Sequence, residues 1–200
     1  LRPLADDGIC VVNVGGPVPG STIDSVCFDD RAASAEMTHF VIDRYGSDVA
    51  LIDGDAEAPV SRHRREGFED ACREAGVPDR EMVVLLEEFD RAGGARGMRA
   101  LLDREVRPRA VVCANDMIAI GAIDVAREEG LRIPEDVAIT GFDDVDLATV
   151  VTPQLTTVHA DGPRLGAEAG RLLLSRMTGE HDGEGRHVVV PHELVVRASA

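Results

Sequence analysis

Residues 110–147 read AVVCANDMIAIGAIDVAREEGLRIPEDVAITGFDDVDL. Two short apolar runs, AVVCA and VAIT, each end on a polar knot, Asn115-Asp116 and Asp143-Asp144. Between them Met117 to Glu129 has helical spacing and stops at Gly130. A buried strand, a helix and a second buried strand form the unit of a parallel sheet, whose ligands bind outside the carboxyl ends of the strands. The two knots are therefore candidates for two walls of one binding cleft, although acids and amides after strands also serve as plain turn formers.

Working outward, the same alternation continues. GICVVNV (Gly8 to Val14), SVCFDD, DVALIDG, EMVVLLEE, RAVVCA and DVAIT read as strands. Ala32 to Arg44, SRHRREGFEDACREAG up to Gly76, and a segment from Gly97 to Glu105 read as helices, with a Gly-rich turn before the last. The fold class is α/β: a parallel sheet with helices on both faces. The tail changes character. QLTTVHA is extended, Pro163 to Thr178 is a helix with Leu165, Ala169 and Leu172 to Leu174 on its apolar stripe, and HVVVPHELVVRAS is extended again, with Pro191 marking an edge or crossing segment.

Composition narrows the function. With 21 basic and 37 acidic residues the net charge is −16, a surface that repels phosphate backbones, so this chain by itself is not expected to grip nucleic acid. Every basic residue is arginine, which excludes the P-loop lysine and Schiff-base chemistry. No apolar run reaches the roughly 20 residues that span a bilayer, and no membrane partner is expected. Leu1 stands where an initiator Met would be, so it reads as a cut point. Cys10, Cys27, Cys72 and Cys113 show no C-x-x-C spacing and read as small buried hydrophobes of a reducing, cytoplasmic protein.

The strand ends carry Asn13, Asp53-Gly54, Phe89, Asn115-Asp116 and Asp143-Asp144. No nucleophile–base pair, metal motif, G-x-S-x-G or G-x-G-x-x-G is present, so no enzymatic activity, metal or cofactor is expected. The set suits a polyol. Asp and Asn pair hydrogen bonds with vicinal hydroxyls, Arg64 offers a planar fork from the helix after LIDG, and an aromatic ring covers the apolar face of a sugar. Each member has a plainer reading: Asp116 as a helix cap, Asp144 as a turn residue, Arg64 as a surface ion-pair partner, Phe89 as core.

The stretch from AVVCANDM to TPQLTTV closely resembles the hallmark segment of the lactose-repressor (LacI/GalR) family of bacterial transcription regulators. SRHRREGFEDACREAG, EEFDRAGGARGMRALL, LGAEAGRLLLSRMTG and VPHELVVRAS resemble further family segments in the same order. The resemblance implies an effector domain of the periplasmic-binding-protein type: two Rossmann-like α/β lobes joined by three crossing strands, near Val26 to Asp30, Leu155 to His159 and Val190 to Leu194, with a small ligand between the lobes. The first lobe would be 1–29 plus 160–185 and incomplete, the second 30–158 plus 186–200. A helix-turn-helix head, the part that would bind operator DNA, would precede them.

By the same resemblance Asn13, Asp29, Arg64, Phe89, Asn115 and Asp143 are the effector contacts, and Ile120, Leu147, Val150 and Val151 belong to a homodimer interface. The expected function is effector sensing, most simply of a sugar, by a cytoplasmic repressor; a purine stays open as the ligand, because aromatic walls also stack bases. A transport or chemotaxis binding protein with the same fold is the alternative. Two departures, Ala33 where a Gly is usual and RYGSDVA in place of a Gly-His pair, fall at structural positions.

Overall fold

The computed structural model describes residues 1–200. The chain divides into two compact units, 1–29 with 160–192 and 30–159 with 193–200. It passes from one to the other three times.

The larger unit is built on four parallel strands in the order β4-β3-β5-β6: β3 Val49–Asp53, β4 Val83–Leu86, β5 Ala110–Cys113 and β6 Ala138–Thr140. Every residue of β3, β5 and β6 is buried, as continuous apolar runs in a two-sided sheet require. Two helix pairs pack on it: α2 Asp30–Tyr45 with α3 Pro59–Glu74, and α4 Arg91–Leu102 with α5 Asp116–Glu128. Ala50 and Ile52 share a core with Met98, Leu101, Ile118 and Ile123 of α4 and α5. Strand alternation then turns Leu51 and Asp53 to the opposite face, where α3 lies.

The Gly-rich segment before Gly97 is not a turn. It forms the first turns of α4, capped by Asp90, whose carboxylate accepts from the Gly93 N–H at 2.7 Å. The glycines answer a packing demand. A Cβ on Gly94 would collide with the Ile118 carbonyl of α5, and one on Gly121 would collide with the Arg91 carbonyl of α4. The two helices meet backbone to backbone.

The smaller unit holds a three-stranded parallel sheet in the order β1-β2-β8: β1 Val12–Val14, β2 Asp24–Phe28 and β8 His187–Val190. The helix α6 Gly162–Met177 packs on it through Leu165, Ala169 and Leu172 against Val26 and Val190. Asp24 is fully buried between two guanidiniums, Arg176 Nη2 at 2.8 Å and Arg186 Nη2 at 2.6 Å. A short helix α1, Arg2–Asp6, precedes β1. The remaining strands, β7 Thr157–Ala160 and β9 His192–Val195, pair with each other.

Three expectations need correction. The first strand begins at Val12, not Gly8, and Cys10 is exposed; the apolar run there lies outside the sheet. All four cysteines are free, with only Cys72 and Cys113 buried. The segment 186–192, expected with the second lobe, pairs with β2 through His187 to Val190 and so belongs to the smaller unit.

Candidate functional site

The carboxyl ends of β3, β5 and β6 bring Asp53, Ala114-Asn115 and the loop 141–145 to one edge of the larger unit, beside the start of α2 and the first turns of α3. At the centre is Arg64 of α3, only 7% exposed. Its Nε donates to Asp30 Oδ1 at 2.9 Å, Nη2 reaches Asp30 Oδ1 at 2.9 Å and Asp143 Oδ1 at 3.3 Å, and Nη1 donates to the Ala114 carbonyl. The guanidinium also lies over the Phe142 ring, 3.6 Å from its centroid. A planar fork between two carboxylates, a carbonyl and a ring is locked in orientation.

Asp143 and Asp144 are the only non-glycine residues at positive φ, 106° and 57°. Such backbone costs about 1–3 kcal/mol per residue and persists where the surroundings impose it. They do so here. Asp143 N–H donates to the Val158 carbonyl at 2.9 Å, and Asp144 accepts from His159 at 3.0 Å and faces Arg197 at 2.7 Å. Asp116 anchors the loop from below: its carboxylate accepts from Thr157 Oγ1 at 2.5 Å and from the Val145 N–H at 2.8 Å. Burial pushes Asp116 up to about 6 against these two bonds, and the charges of Asp143 and Asp144 push the same way. Burial also raises Asp143, and Arg64 works against it.

Asn115, not Asp116, caps α5, accepting from the Ile118 N–H at 2.8 Å. Its Nδ2 donates to the Phe89 carbonyl at 3.4 Å, so the amide ties two strand ends together. The Phe89 ring covers Gly54 so closely that a Cβ there would collide with it. Asp53, one residue earlier, is fully buried, and burial raises it to about 6 while the Gly54 N–H and the charges of Arg65 and Arg64 work against the shift.

Of the residues singled out from sequence, Arg64, Phe89, Asn115 and Asp143 stand together at this edge. Asn13, on β1 with its amide donating to the Gly16 carbonyl at 2.7 Å, and Asp29, exposed after β2, lie in the smaller unit. Sequence reasoning missed Asp30, Phe142 and Ser61. Asp30 opens α2 as an acid in its first turn, a place where carboxylates are favoured, and that was the available signal. Among the expected interface residues, Leu147 and Val150 are exposed (48% and 72%) and Val151 packs partly on the core. Ile120 is only 7% exposed, so the unit's own packing already covers most of it.

Residues 39–200 match the periplasmic binding protein-like domain family. The chain is 39% identical over 189 residues to the HTH-type transcriptional repressor PurR of Erwinia tasmaniensis, covering 94% of this chain and 55% of that protein. Among solved structures, the complex of the transcriptional regulator CelR with cellobiose superposes with a TM-score of 0.91 at 33% identity, over 98% of this chain and 61% of that one. A LacI family transcriptional regulator from Enterococcus faecium with bound ribose superposes with a TM-score of 0.87 at 26% identity, over 98% of this chain and 72% of that one. The chain spans about half the length of the curated relatives it matches. These relatives are regulators, which sets aside the reading as a transport or chemotaxis binding protein. The chain belongs to the LacI family of transcriptional regulators, as its periplasmic-binding-protein-like domain.

Proposed function

We propose that the chain senses a small, neutral, hydroxyl-rich effector, a sugar, for a cytoplasmic transcription regulator whose DNA contacts are made by a helix-turn-helix outside these 200 residues. One observation carries the reading: the Arg64 guanidinium is already held by Asp30, Asp143 and the Ala114 carbonyl. Recognition then falls to the acceptors around it, above all Asp143, whose side chain is 40% exposed. Acceptors select ligands that donate, as sugar hydroxyls do, and carboxylates disfavour an anion. Phe89 supplies a ring beside them for the apolar face of the ligand. Cellobiose and ribose in two similar regulators support the class. Asn13 and Asp29 keep the roles that the family resemblance gives them, tested by their alanine variants.

The domain works without catalysis and as a homodimer, to which Leu147 and Val150 offer exposed apolar surface, joined at its margin by Val151 and Ile120. The net charge of −16 fits a domain that leaves DNA to another module.

Calorimetry of the chain against cellobiose, ribose, hypoxanthine and guanine tests the effector class. A sugar is expected to bind. Tight binding of a base with no response to any sugar overturns the reading. Fluorescence anisotropy with labelled duplex DNA is expected to stay flat for this chain.

A further inference from the structure

Two buried oxygens near the Arg64 clamp have no hydrogen-bond partner: Oδ2 of Asp53 and Oγ of Ser61. Both residues are fully buried. Asp53 ends β3, and Ser61 lies in the first turn of α3, three residues before Arg64. Orphaned buried oxygens are uncommon, and a carboxylate oxygen without a donor is among the costlier kinds. The other oxygen of Asp53 accepts from the Gly54 N–H at 2.8 Å. The nearest cation to Oδ2, Arg65 Nη1, stands 3.8 Å away, too far for a hydrogen bond. The two oxygens lie beside each other: the Ser61 hydroxyl is close enough to pull on the Asp53 carboxyl as a weak donor, yet the pair falls short of hydrogen-bond geometry. At the adjoining residue, Gly54, the Phe89 ring lies against the backbone.

We propose that Asp53 and Ser61 form a subsite of the effector site that takes one hydroxyl or amino group of the ligand, which donates to Asp53 Oδ2 and shares the second contact with the Ser61 hydroxyl. The inference rests on the effector reading above and makes it more specific. An anion is repelled by the carboxylate, and an apolar group leaves both oxygens unpaired, so the subsite asks for a donor. A hydroxyl can donate to Asp53 and accept from Ser61, while an ammonium donates to both.

The test is calorimetric titration of the 200-residue chain and of its Asp53→Asn and Ser61→Ala variants with ribose, cellobiose, glucosamine, adenosine and hypoxanthine. Asp53→Asn keeps the side-chain shape and removes the charge; circular dichroism melting confirms that each variant is folded. The panel member that binds the parent is expected to lose about tenfold or more in affinity in Asp53→Asn, and a smaller factor in Ser61→Ala. The unligated Asp53→Asn chain is expected to melt higher than the parent, because an unpaired buried charge is gone. Unchanged affinity in both variants, with affinity lost in Asp143→Ala, overturns the subsite and leaves the effector reading standing. Hypoxanthine as the sole binder, weakened by Asp53→Asn, supports the subsite and overturns the sugar reading. A parent chain that binds no member of the panel overturns both.

Discussion

Asp24 and Asp53 are both fully buried aspartates, one in each unit, and their surroundings are opposite. Asp24 meets two arginines and the Arg186 N–H, so every lone-pair direction has a donor. Burial pushes its carboxyl up, but the hydrogen bonds from Arg176 and Arg186 prevail and hold it well below the usual carboxylate range. Asp53 has one backbone donor, a weak pull from the Ser61 hydroxyl and two arginine charges beyond hydrogen-bond reach, and burial prevails. The smaller unit uses its buried acid to fasten α6 and β8 to β2. The larger unit leaves one oxygen of its own acid unsatisfied at the strand ends where the effector site is proposed. A buried charge with full partners is architecture; one without them is, on the proposal above, capacity for binding.

The largest effect should come from breaking the satisfied member. Asp24→Ala strands two arginines and should cost about 3–5 kcal/mol, the usual loss when one partner of a buried ion pair is removed. Amide hydrogen exchange, read separately in each unit, should show that loss in the smaller unit and little in the larger.

Acid should act on the two units with opposite sign. Asp53 and Asp116 are raised from 3.8 to about 6, so their protonated forms are favoured in the folded chain. Their contribution to stability is full below the ordinary value and is lost as pH rises through about 6. The larger unit should therefore lose stability between about pH 4 and 6, on the order of 1–3 kcal/mol. Asp24 runs the other way: its contribution is present above 3.8 and lost as pH falls toward its depressed value. Asp136, drawn down to about 2 by Arg132, acts only below that window. Hydrogen exchange across the pH range checks both slopes, and Asp53→Asn should flatten the one for the larger unit.

Arg64→Ala sharpens the comparison within the larger unit, because it frees Asp30 and Asp143 to repel each other. Affinity for the effector should fall about tenfold or more in calorimetry, through loss of the group that orients Asp143. Normal affinity in that variant would falsify the placement of the site. The smallest effect on stability should follow Val150→Arg. At an exposed position it should change unfolding by no more than about 0.5 kcal/mol, while the proposed homodimer predicts a shift in sedimentation toward monomer.

Much of the frame was legible because parallel strands are buried on both faces and read as unbroken apolar runs. DVALIDG and RAVVCA contain β3 and β5, and Gly76 and Gly130 follow helices at positive φ. The start of α4 was not legible. Gly93 and Gly94 carry the composition of a turn, and only the neighbouring helix explains them. At the site, Asn115 and Asp143 stood out as polar residues after apolar runs, and Arg64 as an arginine of the helix after LIDG. Their engagement did not, since pairing of Arg64 with Asp30, 34 residues away, and stacking on Phe142 are tertiary facts. Asp53 was visible as a strand-end acid, but burial and the missing donor at Oδ2 have no sequence signature.

The reciprocal glycines of α4 and α5 bear on how this domain can change over time. Where helices meet through side chains, a substitution on one can be absorbed by a rotamer on the other. At Gly94 and Gly121 the opposing groups are carbonyls, and a carbonyl has no rotamers. Even alanine must push the two helices apart, and α5 begins at Asn115 and Asp116, which hold the Phe89 carbonyl and the loop of Asp143. The seam therefore closes mutational routes that a side-chain interface leaves open. With the effector site where it is proposed, specificity is free to drift at the strand ends, while the joint behind them stays fixed.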